Sequence, residues 1–252
     1  MRIGKAPDRI TFDRRFKADS LNLKSSVNAM GGLLISEGLI DPYIVSVDSS
    51  LLKARGGVWH KNSMSRNLVP HHSIDVDARW GYSRTKKWLF GYKIHIVCST
   101  GSLIAPLSAF FTTANVQDNQ MYGELISSLL GTRYVNSDEG YDDHPLYKLS
   151  RQRGFELVCP VARRENTPPE RLYLIHFYES ELGRLIYSWR SKSVEPLIEH
   201  IKDVFGIDPL PVRGFHNAES ITLLSVLLYQ VMVYYNHLNK RPLRALKHML
   251  GN

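Results

Sequence analysis

Residues 88–112, WLFGYKIHIVCSTGSLIAPLSAFFT, carry the clearest structural signal in this chain of 252 residues. In the first half of the stretch, apolar residues alternate with Lys93 and His95, and this period of two predicts a β-strand. The Thr-Gly-Ser triplet that follows is typical of a turn, and the remainder again favours a strand. Pro106 in that second run predicts an edge position or a bulge. The stretch is therefore predicted to form a β-hairpin.

Short apolar runs outside the hairpin predict further strands, at residues 43–48, 134–138 and 155–161. The first run is rich in β-branched residues and ends at Asp48, and the second ends at Asp138. Residues 49–85 contain many Arg, His, Gly and Ser residues without a helical period, so we expect a long loop there. A loop of that length usually has a function. Residues 163–178 are expected to be irregular, with a break at the Pro-Pro pair.

Helices are predicted where apolar residues recur at a helical spacing. Asp118 or Asn119 can cap the first of them, whose apolar positions are Tyr122, Leu125, Ile126, Leu129 and Leu130. Asp143 can cap a second helix, residues 194–205 form an apolar stripe, and Asn217 can cap a long apolar helix. Three antiparallel strands followed by alternating helices and strands are typical of an RNase H-like α/β domain. We therefore expect a mixed sheet of about five strands with flanking helices, plus C-terminal helices.

Composition and charge narrow the classes of function. The hydrophobic fraction of 43% is ordinary for a globular protein and excludes disordered and fibrous classes. Lys and Arg outnumber Asp and Glu by 32 − 24 = 8, which favours a polyanionic partner such as nucleic acid. Cys98 and Cys159 are too few for a disulfide framework or a zinc cluster, so a reducing cytoplasm is expected. The most apolar segment, residues 221–235, is shorter than the ~20 residues that span a bilayer, and no membrane location is expected.

Two carboxylates end predicted strands and are followed by turn-like sequence, Asp48 and Asp138. If the two strands are neighbours, the carboxylates meet at one sheet edge, where they need a cation or a shared proton. Oxygen ligands of this kind suit Mg²⁺ or Mn²⁺, and Glu195 on a packed helix could complete a site for two ions. The alternative is that the aspartates only cap turns. Other acids lie near strand ends or loops as well, and the residues alone do not choose among them: Asp75, Asp77, Asp118, Asp142 and Asp143.

Five short blocks occur in one order along the chain: Val47-Asp48-Ser49, residues 90–95 (FGYKIH), residues 113–118 (TANVQD), residues 137–142 (SDEGYD) and residues 190–196 (RSKSVEP) followed by Lys202. In this order and on these element types, the blocks resemble the catalytic domain of a DDE transposase from a prokaryotic insertion sequence. The similarity begins in the first forty residues and is strong from Ile44 to about Met249.

The resemblance implies that Asp48, Asp138 and Glu195 are acidic ligands of Mg²⁺ or Mn²⁺, with two ions when DNA is bound. It implies phosphodiester attack by water and then by a DNA 3′-hydroxyl, with no covalent protein intermediate and no nucleoside cofactor. Tyr187, Arg190, Glu195 and Lys202 look like the Tyr–Arg–Glu–Lys pattern of the family, so Tyr187 and Arg190 are expected to bind DNA and Lys202 to contact a phosphate. The family leaves three residues between Arg and Glu, whereas this chain has four, so Lys192 is an alternative to Arg190.

Two regions follow from the resemblance. Residues 1–42 are expected to be a short lead-in with one helix, a break at Gly31-Gly32 and the remnant of a DNA-binding region. Residues 43–252 are expected to form the catalytic domain with a C-terminal helical extension. Expected partners are double-stranded DNA, as terminal inverted repeats and target, and a second copy of the chain on that DNA. The expected location is the prokaryotic cytoplasm, at the nucleoid when DNA is bound.

Two other functions remain open from the sequence. The chain could be a truncated, catalytically inactive DNA-binding relic of a transposase, or a stand-alone metal nuclease of the same fold.

The predicted loop before the hairpin mixes tryptophans with cations. Trp59, Trp80 and Trp88 alternate with several Lys and Arg residues. Such residues can bind nucleic acid by stacking and phosphate contact, or they can anchor the loop to the core.

Overall fold

The computed structural model describes residues 20–83, 87–163 and 167–249, together with Thr11 and Arg14. Most of the predicted lead-in before residue 20 and part of the predicted basic loop, residues 84–86, lie outside the described residues.

A mixed sheet forms the centre of the molecule. Its strands are β1 (Ile44–Lys53), β2 (Arg79–Ser83), β3 (Lys87–Ser99), β4 (Pro106–Thr113), β5 (Tyr134–Asn136) and β6 (Glu156–Val158). The sheet order is β2-β3-β1-β5-β6, and β4 also pairs with β3. Strands β1, β2 and β4 run antiparallel to β3, whereas β1, β5 and β6 are mutually parallel. The predicted RNase H-like sheet is confirmed, with β2 as an additional strand.

Eight α-helices are described around this sheet. They are α1 (Ser20–Ser36), α2 (Lys61–Ser65), α3 (Asp118–Leu125), α4 (His144–Gln152), α5 (Pro169–Glu179), α6 (Glu181–Lys192), α7 (Val194–Phe205) and α8 (Phe215–Leu238). Short 3₁₀ turns lie at Glu139–Tyr141 and Lys247–Met249. Helices α1 and α8 pack against each other and against β4, while α6 and α7 pack against β1. The expected flanking and C-terminal helices are therefore present.

The predicted hairpin is confirmed as β3 and β4. The pairing register shifts between Val97 and Cys98, beside Pro106, so the proline marks the irregularity that its missing N–H requires. Lys93 and His95 are buried, so the polar side of β3 is also covered by protein.

The predicted long loop and irregular segment contain regular structure. Strand β1 continues beyond Asp48 to Lys53, and α2 and β2 lie within the expected loop of residues 49–85. Helix α5 occupies most of residues 163–178, and Pro169 is in its first turn, where proline is tolerated. Helix α2 and strand β2 have only five residues each, so their packing and pairing partners decide their structure.

The Gly31-Gly32 pair lies inside α1 and does not break it. A β-carbon added at Gly31 would lie 2.7 Å from the carbonyl oxygen of Leu107 in β4. The glycine therefore allows the helix to pack closely on the sheet.

Three predicted caps differ in detail from the structure. Asp118 is the first residue of α3, after Gln117 at the cap position, and this helix ends at Leu125 with Leu130 exposed beyond it. Asn217 lies inside α8, whose cap position is Gly214. Asp143 does occupy the cap position of α4, although its side chain makes no capping bond.

Two acidic residues hold the start of α8. Asp75 Oδ2 accepts a hydrogen bond from the backbone N–H of Gly214 at 3.0 Å, and Asp77 Oδ2 accepts one from Phe215 at 2.9 Å. These contacts satisfy N–H groups that a helix start leaves open. Both aspartates therefore have a structural role.

Of the described helices, α8 alone is long and apolar enough to cross a membrane by length and composition. Eleven of its side chains are buried in the protein, and Gln230 donates hydrogen bonds to the carbonyl oxygens of Val27 and Pro106. Helix α8 is therefore part of the core.

His95 makes the folded protein sensitive to acid. Burial is the main cause that lowers its pKa to about 4, with Lys93 contributing, while Asp118 acts in the opposite direction. An unfolded chain binds the proton near pH 6.5, so stability falls as pH drops from about 6.5 towards 4. We expect a loss of roughly 1–2 kcal/mol at pH 5 relative to pH 7, measured by urea unfolding, and a smaller loss in His95→Gln. Equal acid sensitivity in both proteins would contradict this assignment.

Candidate active site

Strands β1 and β5 are parallel neighbours and bring Asp48 and Asp138 close together. Ser46 pairs with Asn136 in the parallel register, and Asp48 and Asp138 each follow two residues later. Both line one cleft of about 710 Å³. Asp48 lies within β1, which continues beside β3 to Lys53. The shorter β5 has already ended at this level of the sheet. The two strands are therefore neighbours, which is the condition under which the sequence placed these carboxylates together.

Backbone N–H groups orient both aspartates. Asp48 Oδ1 accepts a hydrogen bond from the N–H of Ser49 at 2.8 Å. Asp138 Oδ1 accepts one from the N–H of Gly140 at 2.9 Å and caps the first 3₁₀ turn. Tyr141 ends that turn and is fully buried. The Asp-x-Gly-Tyr sequence therefore fixes one carboxylate by a cap and anchors the turn with an aromatic ring.

The start of α7 places Glu195 at the same cleft. Ser193 occupies the cap position, and Glu195 and Pro196 lie in the first turn, as the proline predicts. Ser193 Oγ lies 2.7 Å from Ser46 Oγ on β1, which ties this helix start to the strand that carries Asp48. The Glu195 side chain is 45% exposed.

Arg190 connects two of the three predicted acidic ligands. Its guanidinium lies 2.8 Å from Asp48 Oδ2 and 2.7 Å from Glu195 Oε1, and its side chain is 17% exposed. The four-residue spacing to Glu195 crosses the junction of α6 and α7, which brings the two side chains together. Lys192 lies elsewhere, with its amino group 5.7 Å from the centre of the Trp189 ring.

Tyr187 and Lys202, which were also predicted to contact DNA, differ in their exposure to the cleft. Tyr187 lines the cleft, and its ring packs edge-on against Tyr178 at 5.2 Å. Lys202 is a buried residue whose side chain is only 4% exposed. Its amino group lies 2.6 Å from Ser50 Oγ and 2.8 Å from Glu199 Oε1. The structure thus brings Tyr187 into the cleft and holds Lys202 beneath it.

The cleft carries an excess of carboxylates. Burial raises the pKa of Asp48 to about 7, although Arg190 and the Ser49 N–H lower it, and Asp138 and Glu195 add to the rise. Carboxylate oxygens are the ligands that Mg²⁺ and Mn²⁺ prefer, and the guanidinium already occupies a cationic position between two of them. The donor set therefore fits a hard divalent cation. No cluster of three His, Cys, Asp or Glu side chains within the described part of the chain is close enough to hold a metal without rearrangement.

The competing acids mostly have structural partners. Asp142 pairs with Arg171 and accepts a hydrogen bond from the Tyr147 hydroxyl. Asp118 Oδ1 lies 2.8 Å from Lys93 Nζ and 2.7 Å from Ser49 Oγ. The sequence did not predict that Asp118, Lys93 and Ser49 contact one another. Two of these residues, Lys93 and Asp118, lie in the blocks 90–95 and 113–118.

A family model described as "Transposase DDE domain" matches residues 40–231. The chain belongs to this family. The family membership predicted from the sequence is thus confirmed.

Solved structures similar to this DDE domain include a piggyBac transposase synaptic complex with hairpin DNA, with 12% identity, a TM-score of 0.48 and coverage of 81% of this chain and 50% of that chain. An intasome of simian T-cell lymphotropic virus shares 16% identity, with a TM-score of 0.35 and coverage of 75% and 49%. A Mos1 transposase paired-end complex shares 10% identity, with a TM-score of 0.28 and coverage of 92% and 64%. The chain thus spans about half to two thirds of the length of these proteins. The comparison with curated proteins gave no match.

Proposed function

We propose that this chain is the catalytic part of a DNA transposase from a prokaryotic insertion sequence, which cleaves strands at the ends of its element and joins them to target DNA. The convergence of Asp48, Asp138 and Glu195 on one cleft, in a chain of the DDE family, carries this proposal. In the cleavage step a water oxygen attacks phosphorus and a 3′-hydroxyl leaves. In the joining step that hydroxyl attacks a target phosphodiester and displaces a second 3′-hydroxyl.

Asp48, Asp138 and Glu195 would hold two Mg²⁺ or Mn²⁺ ions with DNA bound. These ions supply Lewis-acid activation of the attacking oxygen and charge stabilisation of the leaving oxygen. The backbone N–H groups of Ser49 and Gly140 keep two of the carboxylates oriented. Tyr187 and Arg190 face the same cleft and would contact the DNA backbone.

The DNA partners would be the terminal inverted repeats of the element and its target, bound by a homodimer. The net charge of +8 supports a polyanionic substrate. Residues 43–252 would form the catalytic domain, against which α1 packs. The location would be the cytoplasm, at the nucleoid when DNA is bound.

Nicking of supercoiled plasmid DNA in the presence of Mn²⁺ or Mg²⁺ tests this function. Nicking that disappears with a chelator, followed by joining of a labelled 3′-hydroxyl end to the plasmid, is the expected result. Nicking without joining would instead identify a stand-alone nuclease. DNA binding without nicking would identify an inactive relic.

DNA binding is expected to depend strongly on salt. Each phosphate neutralised by Lys or Arg releases condensed counterions, so six to ten contacts reduce affinity by about 10³- to 10⁵-fold between 50 and 200 mM salt. Fluorescence anisotropy with a labelled duplex, measured in chelator across this range, gives the slope. An affinity that does not change with salt would contradict a phosphate-dominated interface.

A further inference from the structure

A second cavity, of about 420 Å³, lies beside the catalytic cleft. The two share four lining residues: Tyr82, Lys93, Asp118 and Gly140. One wall is formed by residues 114–118 of the TANVQD block together with Asn119, and the block has no part in the proposed metal chemistry. Another wall is formed by aromatic residues of β2 and β3, so we call the cavity the aromatic pocket.

The tryptophans of the predicted basic loop divide into two groups. Trp59 is buried and donates a hydrogen bond to the carbonyl oxygen of Leu68, and Trp80 donates one to that of Trp59. These two anchor the loop to the core. Trp88 is 57% exposed, which leaves much of a large apolar ring in contact with water.

Trp88 belongs to an ordered aromatic and cationic group at the pocket. Tyr82 pairs with Trp88 across the β2–β3 ladder and is 52% exposed. Their ring centres are 5.4 Å apart at an interplanar angle of 61°. The amino group of Lys61 lies 3.3 Å from the centre of the Trp88 ring. Aromatic rings beside cations are the combination that binds single-stranded nucleic acid by stacking and phosphate contact.

Close backbone packing holds the two walls together. A β-carbon added at Gly81 in β2 would lie 2.4 Å from the carbonyl oxygen of Ala114, so only glycine permits this approach. The pocket wall also presents polar groups, because the amide side chains of Asn115 and Gln117 line it and both residues are exposed.

We propose that the aromatic pocket binds an unpaired nucleobase of the DNA strand, stacked on Trp88 and Tyr82, with its edge towards the amides of Asn115 and Gln117. This proposal rests on the proposed function, because the shared wall places the bound base next to the phosphate in the catalytic cleft. The side-chain amides of Asn115 and Gln117 line the pocket, and each can donate to or accept from the edge of a base. Stacking accepts every base, so the pocket contributes affinity with little sequence preference.

Binding of an eight-residue oligothymidylate to the full chain, measured by fluorescence anisotropy in chelator, tests the pocket. Trp88→Ala is expected to weaken binding roughly 5- to 100-fold, and Trp88→Phe to retain most of it. An oligonucleotide of the same length built of abasic residues is expected to bind wild type and Trp88→Ala equally. Tyr235→Ala is the matched control, because Tyr235 is a partly exposed aromatic residue on α8.

Equal effects of Trp88→Ala on the thymidylate and the abasic oligonucleotide would overturn the proposal, since the loss would then not involve a base. So would unchanged binding of the thymidylate. Thermal unfolding of each variant separates a folding defect from a lost contact. The assay needs no metal or cleavage, so absent nicking in the wild type would overturn the proposed function without affecting this result.

Discussion

Asp138→Asn is expected to abolish metal-dependent nicking of supercoiled DNA while leaving the fold intact. The substitution removes one negative ligand from the cleft but keeps an oxygen that can accept the capping hydrogen bond from Gly140. Metal stabilisation of the transition state is worth several kcal/mol, so a loss of roughly a thousandfold or more in rate is expected. DNA affinity in chelator is expected to rise slightly, because one carboxylate facing the phosphates is neutralised.

Asp143→Asn is the matched control for this experiment. Asp143 undergoes the same chemical change five residues away, at the cap position of α4, where asparagine is as favourable as aspartate. The control is expected to nick DNA at the wild-type rate. Equal activity of wild type and Asp138→Asn would mean that another carboxylate serves the site, or that a contaminant cleaves the DNA.

The sequence predicted the sheet and the position of its acidic edge for a clear physical reason. A change from β-branched to polar sequence marks Asp48 and Asp138, and the parallel pairing of β1 with β5 places the two together. The expected strand end at Asp48 is wrong, because pairing with β3 continues β1 to Lys53. Pro196 after Glu195 likewise predicted a helix start. These signals are local, so they can be recognised from the sequence alone.

The elements that were missed depend on contacts between distant parts of the chain. Strand β2 is five residues long with Gly81 at its centre, and its pairing with β3 makes it a strand. Asp118 looks like a helix cap in sequence, but Lys93 and Ser49 bind its carboxylate. The position of Arg190 could not be decided from its spacing, because the α6–α7 junction lies between it and Glu195.

Arg190→Gln is expected to strengthen Mn²⁺ binding to the DNA-free protein while weakening the metal-free fold. In the structure the guanidinium holds Asp48 and Glu195 at 2.8 and 2.7 Å, so it competes with an added cation for the same oxygens. Removal of a unit charge at this distance favours a divalent cation by at least about 1–2 kcal/mol, or roughly tenfold or more in affinity. Without metal, three carboxyl groups then share the cleft without this counterion, and the thermal midpoint is expected to fall.

Isothermal titration with Mn²⁺ and thermal unfolding with and without Mn²⁺ measure both effects, and Lys192→Gln is the matched control. Lys192 lies on the same helix, and its substitution removes the same charge, but its amino group lies over Trp189 instead of between carboxylates. Mn²⁺ is expected to raise the thermal midpoint most in Arg190→Gln. If the Arg190 and Lys192 variants bind Mn²⁺ equally, long-range charge accounts for the effect and the guanidinium does not occupy the metal position. A selective gain in Arg190→Gln would mean that this arginine must leave its carboxylates before the ions enter, and the DNA phosphates are the anions that can then accept it.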